Sequence, residues 1–249
     1  MPELPEVETT RRGLVAHLQG RRLTSVIVRN RALRWPVPRN LPQRASGCVI
    51  RDVSRRGKYL LLDCATGWII VHLGMSGSLQ LVPQATLPGK HDHVDLVFDS
   101  GLAARLNDPR RFGAVLWQPG DALLHPLLAS LAPEPLGPDF NAAWLYARTR
   151  GRSAAIKSLV MDSRIVVGVG NIYASESLFR AGIHPALAAG RVSLRRCDKL
   201  VAAIRDTLEA AIEAGGSSLR NYVGAEGRPG EFQNACLVYG RRGERCRIC

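Results

Sequence analysis

Three prolines in six residues divide this chain. Pro133, Pro135 and Pro138 lie in the stretch LAPEPLGPDF. Neither a helix interior nor a central strand runs through such a segment, because each proline lacks an N–H and fixes its own φ. The stretch reads as a linker over residues 132–140, and the patterning differs on its two sides. Before it, from about residue 21 to 118, the sequence reads as short strands. RLTSVIVRN alternates, KYLLLDCATGWIIVHLG is two apolar runs around Thr66 and Gly67, and HVDLVFDSGLAARL repeats the pattern around Ser100 and Gly101. Such a series predicts a β-sandwich or flattened barrel. After the linker the period is helical. Leu194, Cys197, Val201, Ile204, Leu208 and Ile212 fall on one face, with Ser193 as N-cap and Gly215 as the stop. The expected fold class is α+β and multidomain: a helix-led N-terminal β-sandwich over 1–131, the linker, and a helical C-terminal domain.

Bulk properties narrow the partners. A length of 249 residues suffices for two modest cores, and a hydrophobic fraction of 46% excludes a disordered chain. No apolar run reaches the ~18 residues of a membrane span, and the acidic, polar first ten residues offer no secretory signal. Scattered single cysteines read as reduced thiols of a cytoplasmic protein. The net charge of +13 points to a polyanion, and the excess is almost all arginine, with lysine only at 58, 90, 157 and 199. Nucleic acid is the expected partner, a solvated basic surface the alternative.

Four local features carry possible chemistry. The first is MPELPEVETT. Pro5 suits the first turn of a helix, and Glu6 and Glu8 favour its positive end. Helix entry does not account for Pro2. Once the methionine is removed, Pro2 presents a secondary amine that is partly neutral near pH 7 and can form an iminium ion with a sugar C1′. Glu3 beside it can shuttle protons. The second is RRGKYLLL, which sets Lys58 among arginines after a glycine turn; from spacing alone an ordinary basic hairpin explains it better. The third is NDPRRFGAVLW, which presents Arg110, Arg111 and Phe112 together, as a protein that unstacks a duplex requires. HLGMSGSL similarly places Met75 among glycines, and simple packing fits both stretches. The fourth is VVGVGNIYASESLF, with glycines before a helix beginning near Asn171, a terminus suited to phosphate. Its G-x-G-N spacing, without a βαβ unit around it, rejects a dinucleotide site.

PELPEVETTRRGL, HLGMSGSL, KHDHVDL, DPRRFGAVLW, APEPLGPDF, VVGVGNIYASESLFRAGIHP and VYGRRGERCRIC together closely resemble bacterial formamidopyrimidine-DNA glycosylases of the Fpg/Nei family. The matches run in order from residue 2 to 249, and PELPE resembles the oxidised-purine branch rather than the endonuclease VIII branch. The resemblance implies a base-excision repair enzyme that removes 8-oxoguanine and formamidopyrimidines from double-stranded DNA and then cleaves the strand as an AP lyase. It implies a bacterial, cytoplasmic, nucleoid-associated monomer. By resemblance Pro2 is the Schiff-base nucleophile, Glu3 the proton donor, Glu6 an organising carboxylate, and Lys58 the lysine that assists elimination. His91, Arg110, Arg152 and Asn171 match DNA-binding positions, and Met75, Arg110 and Phe112 match the trio that fills the hole left by an extruded base. Arg152 stands where the family often has lysine. Residues 141–232 then correspond to the helix–two-turn–helix domain, 217–232 to a loop that closes over the lesion, and 233–249 to part of a zinc-finger segment. The family finger is C-x2-C, a hairpin, then C-x2-C. This sequence supplies Cys246 and Cys249, half of a structural zinc site, and Cys236 matches no ligand position. Two other functions fit less of the sequence: a DNA-binding remnant with weak catalysis, and a glycosylase for oxidised pyrimidines.

Overall fold

The computed structural model describes residues 2–218 and 223–249. Leu219, Arg220, Asn221 and Tyr222, four residues of the expected lesion-covering loop, lie outside the described residues. The chain divides into two compact units: residues 1–129 with 215–230, and residues 130–214 with 231–249.

The first unit begins with helix α1 (Leu4–Leu18). Then come strand β1 (Leu23–Val28), a short helix α2 (Leu41–Ala45) and seven more strands. These are β2 (Asp52–Arg56), β3 (Tyr59–Asp63), β4 (Gly67–His72), β5 (Ser78–Pro83), β6 (Asp92–Phe98), β7 (Leu102–Asn107) and β8 (Ala114–Pro119). They form two four-stranded antiparallel sheets, in the orders β1-β6-β7-β5 and β2-β3-β4-β8. One apolar core lies between them. Leu23, Val26, Val94, Leu96, Phe98, Ala104 and Leu106 come from the first sheet, and Val53, Leu60, Leu62, Ile69, Val71 and Val115 from the second. Val7, Leu14 and Leu18 of α1 join the same core. The expected β-sandwich with a leading helix is therefore the observed arrangement. Residues 215–230 belong with this unit because Leu81 donates to the Ala225 carbonyl at 2.9 Å, Ala225 is buried in the sandwich core, and Ser217 is bonded to Glu6. Their sequence had grouped them with the helices.

The second unit is helical. After α3 (Pro126–Ala129), which still belongs to the first unit, come α4 (Ala142–Thr149), α5 (Ile156–Val160), α6 (Asn171–Arg180) and α7 (Leu194–Glu213). Helix α7 starts and stops as its sequence predicts. Ser193 accepts a hydrogen bond from the Arg196 N–H, and Gly215 follows the helix at φ +73°. The apolar face is buried from Cys197 to Ile212, but Leu194, at the very first turn, is 50% exposed. The proline-rich stretch is tied down rather than loose: the Arg205 guanidinium of α7 donates to the carbonyls of Pro135, Gly137 and Phe140. Phe140 is fully buried.

Candidate active site and nucleic-acid interface

The residues singled out from the sequence fall in both units. In the first unit they gather at the start of α1. Glu3 is the N-cap and Glu6 the N3 residue of a reciprocal capping box. The Glu6 Oε2 accepts the Glu3 N–H at 2.8 Å, and the Glu3 side chain accepts from the backbone of Glu6. The other Glu6 oxygen accepts the Ser217 N–H at 2.7 Å. Pro2, Glu3 and Glu6 are all buried, so the amine position, a carboxylate and its organiser are sheltered together.

Lys58 joins them from the hairpin between β2 and β3. Arg56 pairs with Tyr59, which leaves Gly57 and Lys58 as the two turn residues, with Gly57 at φ +56°. Burial pushes the Lys58 ammonium below its ordinary pKa, and the charges of Glu3 and Glu6 partly restore it. A lysine so placed releases its proton more easily than an exposed one. A secondary amine, a carboxylate and a lysine in this arrangement can form an iminium ion and move the protons that its breakdown requires.

His72, which sequence reasoning missed, stands at the end of β4 near the same lysine. Burial lowers its pKa to about 4, with smaller contributions from the charges of Lys58 and Arg34. It is neutral at pH 7. Its Nδ1 accepts the Gly74 N–H at 3.0 Å, which leaves the proton on Nε2 as a donor. Tyr59 lies against its ring at 4.8 Å and Trp35 edge-on at 6.3 Å. Its only signal in the sequence is its position at the end of an apolar strand.

Two loops project the apolar residues. Met75, between β4 and β5, is 42% exposed, and Phe112, between β7 and β8, is 38% exposed. The loops touch through backbone. A Cβ on Gly74 would lie 2.4 Å from the Phe112 carbonyl carbon, and Gly74 has φ +63°, so only glycine fits there. The Arg110 guanidinium lies 4.6 Å over the Phe112 ring. Buried Asp108 organises the second loop, accepting from the Gly113 N–H at 2.7 Å and the Ser76 hydroxyl at 3.2 Å. Arg111 is held at φ +56°, a conformation that costs a non-glycine residue energy and marks a constrained loop. His91, half-buried, accepts the Asp108 N–H with its carbonyl at 2.9 Å, so it sits at the base of this loop. Met75, His91, Arg110 and Phe112 are thus carried on adjoining loops of one unit.

In the second unit Asn171 is the exposed first residue of α6, at the helix N-terminus, whose dipole favours an anion. Arg152 is exposed in the turn after α4, with its carbonyl accepting the Gly190 N–H. Fully buried Glu176 of α6 accepts three successive backbone N–H groups, from Leu237, Val238 and Tyr239, at 2.8–2.9 Å. That carboxylate anchors the start of the C-terminal segment.

The residues present do not make a complete zinc site. Cys246 and Cys249 are exposed, and the Cys246 sulfur accepts the Ile248 N–H at 3.4 Å. Hydrogen bonds from the Cys249 and Ile248 backbone and from the Cys249 thiol lower the Cys246 pKa, which favours the thiolate a metal needs. Among the described residues, however, no group of three or more His, Cys, Asp or Glu side chains could hold a metal. Cys236 is no third ligand: it is buried, bonded to the Phe232 carbonyl, and burial and the Glu176 charge push its thiol up to about 11.

Two family models match the chain. The formamidopyrimidine-DNA glycosylase N-terminal domain covers residues 1–115, and the formamidopyrimidine-DNA glycosylase H2TH domain covers residues 131–223. A formamidopyrimidine-DNA glycosylase of Cupriavidus pinatubonensis is 55% identical over 262 aligned positions, spanning 100% of this chain and 92% of the relative. Among solved structures, the MutM (Fpg) protein of Thermus thermophilus superposes with a TM-score of 0.90 at 36% identity, over 100% of this chain and 91% of that one. A Lactococcus lactis Fpg mutant in complex with a Fapy-dG-containing DNA superposes with a TM-score of 0.92 at 33% identity, over 100% and 92%.

Proposed function

The chain belongs to the formamidopyrimidine-DNA glycosylase family, and from that premise we propose that it is a base-excision repair glycosylase and AP lyase acting on double-stranded DNA. Its substrates are 8-oxoguanine and formamidopyrimidine lesions. The observation that carries this reading is the gathering of Pro2, Glu3, Glu6 and Lys58 at the start of α1. The relatives' named activity and the DNA-bound neighbour support it.

The chemistry follows from the groups present. A duplex hides the sugar C1′ in the stack, so the nucleotide must leave it first. Met75 and Phe112, exposed on adjoining loops, enter the gap, while Arg110, His91, Arg152 and Asn171 meet phosphates. With Met1 removed, the Pro2 nitrogen attacks C1′. The glycosidic bond breaks, its electron pair leaves with the base, and Glu3 supplies the proton that neutralises the departing base. The nitrogen gives up its proton, and its lone pair then opens the C1′–O4′ bond while O4′ takes a proton through Glu3; the ring-opened product is an iminium ion, which acidifies the C2′ hydrogen. Loss of that proton, with Lys58 assisting, places a double bond at C2′–C3′ and expels the 3′ phosphate. Water then hydrolyses the conjugated iminium ion and frees Pro2. Glu6 keeps Glu3 and residue 217 in place throughout. Cys246 and Cys249 take no part in these steps, and zinc is a structural group of the family rather than a reactant here.

The test is direct. The chain, with Met1 removed, is incubated with duplexes carrying one 8-oxoguanine opposite cytosine, one formamidopyrimidine, or one oxidised pyrimidine. Release of free purine lesion with strand scission is the expected result. Binding without base release refutes the enzymatic reading, and faster release of the pyrimidine refutes the substrate assignment.

A further inference from the structure

The helix that carries Glu3 also grips the hairpin that carries Lys58, at a point well away from the reacting groups. We propose that the ion pair between Glu8 of α1 and Arg55 of β2 is a positioning unit that sets Lys58 for the elimination step. The proposal rests on the role given to Lys58 above.

The contacts form one short chain of bonds. The Arg55 Nε donates to Glu8 Oε2 at 3.2 Å, and its Nη1 donates to the Gly57 carbonyl at 2.8 Å. That carbonyl belongs to the peptide bond joining Gly57 to Lys58, so the guanidinium holds the peptide plane directly preceding the lysine. Both side chains are nearly enclosed, at 11% and 12% exposure. Glu8 is itself fixed. Arg11 binds both of its oxygens, at 2.7 and 3.0 Å, and Arg12 binds one at 3.0 Å. Arg11 also reaches the Val53 carbonyl of β2 at 3.2 Å.

The geometry gives this brace a directional effect. A helix rises 1.5 Å per residue, so Glu8 holds the hairpin roughly 7 Å along α1 from the Glu3 end. Lys58 meets the charges of Glu3 and Glu6 at the helix start. The turn between these two attachments is only two residues long. Freeing one end of so short a turn lets the ammonium move by the ångström that matters for proton transfer. Neither Glu8 nor Arg55 needs to touch DNA for this.

The experiment separates the two chemical steps on a duplex containing a preformed abasic site, under single-turnover conditions with saturating enzyme. Borohydride trapping measures imine formation, and strand scission measures elimination. The proteins are wild type, Glu8→Gln, Arg55→Met, the double variant, and Lys58→Met as reference. Rates are expressed per binding-competent molecule, counted by titration with a tetrahydrofuran-containing duplex, so partial misfolding does not enter. Lys58→Met is expected to slow scission. Glu8→Gln and Arg55→Met are expected to slow scission about tenfold and to leave trapping within twofold, so that adduct accumulates. The double variant is expected to match the slower single variant rather than the product of both. Equal slowing of trapping and scission, no slowing, or multiplied effects in the double variant would each overturn the proposal. Unimpaired scission by Lys58→Met would overturn the reading of Lys58, and the proposal with it; a defect in Lys58→Met alone would overturn the proposal and spare that reading.

Discussion

Replacing Glu8 with glutamine should make the protein's stability less dependent on acid, by an amount the structure sets. Burial alone would raise the Glu8 pKa. The hydrogen bond and charge of Arg11, the hydrogen bond of Arg12 and the charge of Arg55 outweigh it and lower the carboxyl from 4.5 to about 2. A folded-state pKa below the unfolded one means that the contribution is fully present above about pH 4.5 and is lost as pH falls through about 2. The shift corresponds to about 3 kcal/mol at neutral pH. Linkage takes about 2 kcal/mol of this away by pH 3. Glutamine keeps the shape but never carries the charge, so wild type and Glu8→Gln should differ by about 3 kcal/mol at pH 7 and by only about 1 kcal/mol at pH 3. For a chain of this size the neutral-pH difference is roughly 6–12 °C in Tm. Urea unfolding of both proteins from pH 7 down to pH 3, followed by circular dichroism, measures the gap directly. A gap of the same size at both ends would show that Glu8 contributes by packing, and that the charge argument is wrong.

Other perturbations probe the DNA-facing groups. Met75→Ala and Phe112→Ala should slow excision from a lesion duplex more than scission at a preformed abasic site, whose sugar leaves the stack more easily; single-turnover rates on the two substrates compare them. Arg110→Ala should weaken binding broadly and reduce the slope of log affinity against log salt by about one, as loss of one phosphate contact does. Because only Cys246 and Cys249 offer accessible thiols in the C-terminal segment, metal analysis after dialysis against a chelator should find well under one zinc per chain.

The strand and helix layout was legible because α7 buries one face at helical period, while β3, β4 and β6 are short, largely apolar runs, buried almost throughout and bounded by turn residues. The details that were not legible have local or long-range causes. Thr66 and Gly67 mark the β3–β4 turn in the sequence, yet Ala65 takes the left-handed conformation, at φ +67°. Gly67 instead begins β4, where a Cβ would lie 2.5 Å from the Trp117 ring. Strand β1 was expected to alternate, but a register shift between Leu23 and Ser25 breaks its burial pattern. Glu8 read as a helix-dipole residue, whereas one of its partners, Arg55, is 47 positions away. The bond from Ser217 to Glu6 spans 211 positions and is one of the contacts that tie residues 215–230 to the first unit, which composition cannot reveal. Local chemistry pointed to Pro2, Glu3 and Lys58, and resemblance added the organising role of Glu6; nothing local distinguished His72, whose surroundings come from β3, β4 and the segment after β1.

The central claim is that the Pro2 nitrogen forms the covalent intermediate. Borohydride added during reaction with an 8-oxoguanine duplex should trap the protein on DNA. After nuclease and trypsin digestion, the sugar remnant should lie on residue 2 of the peptide spanning residues 2–11. A form with extra residues blocking Pro2 should give no adduct. An adduct on Lys58 or any other residue, or equal trapping of the blocked form, would contradict the account.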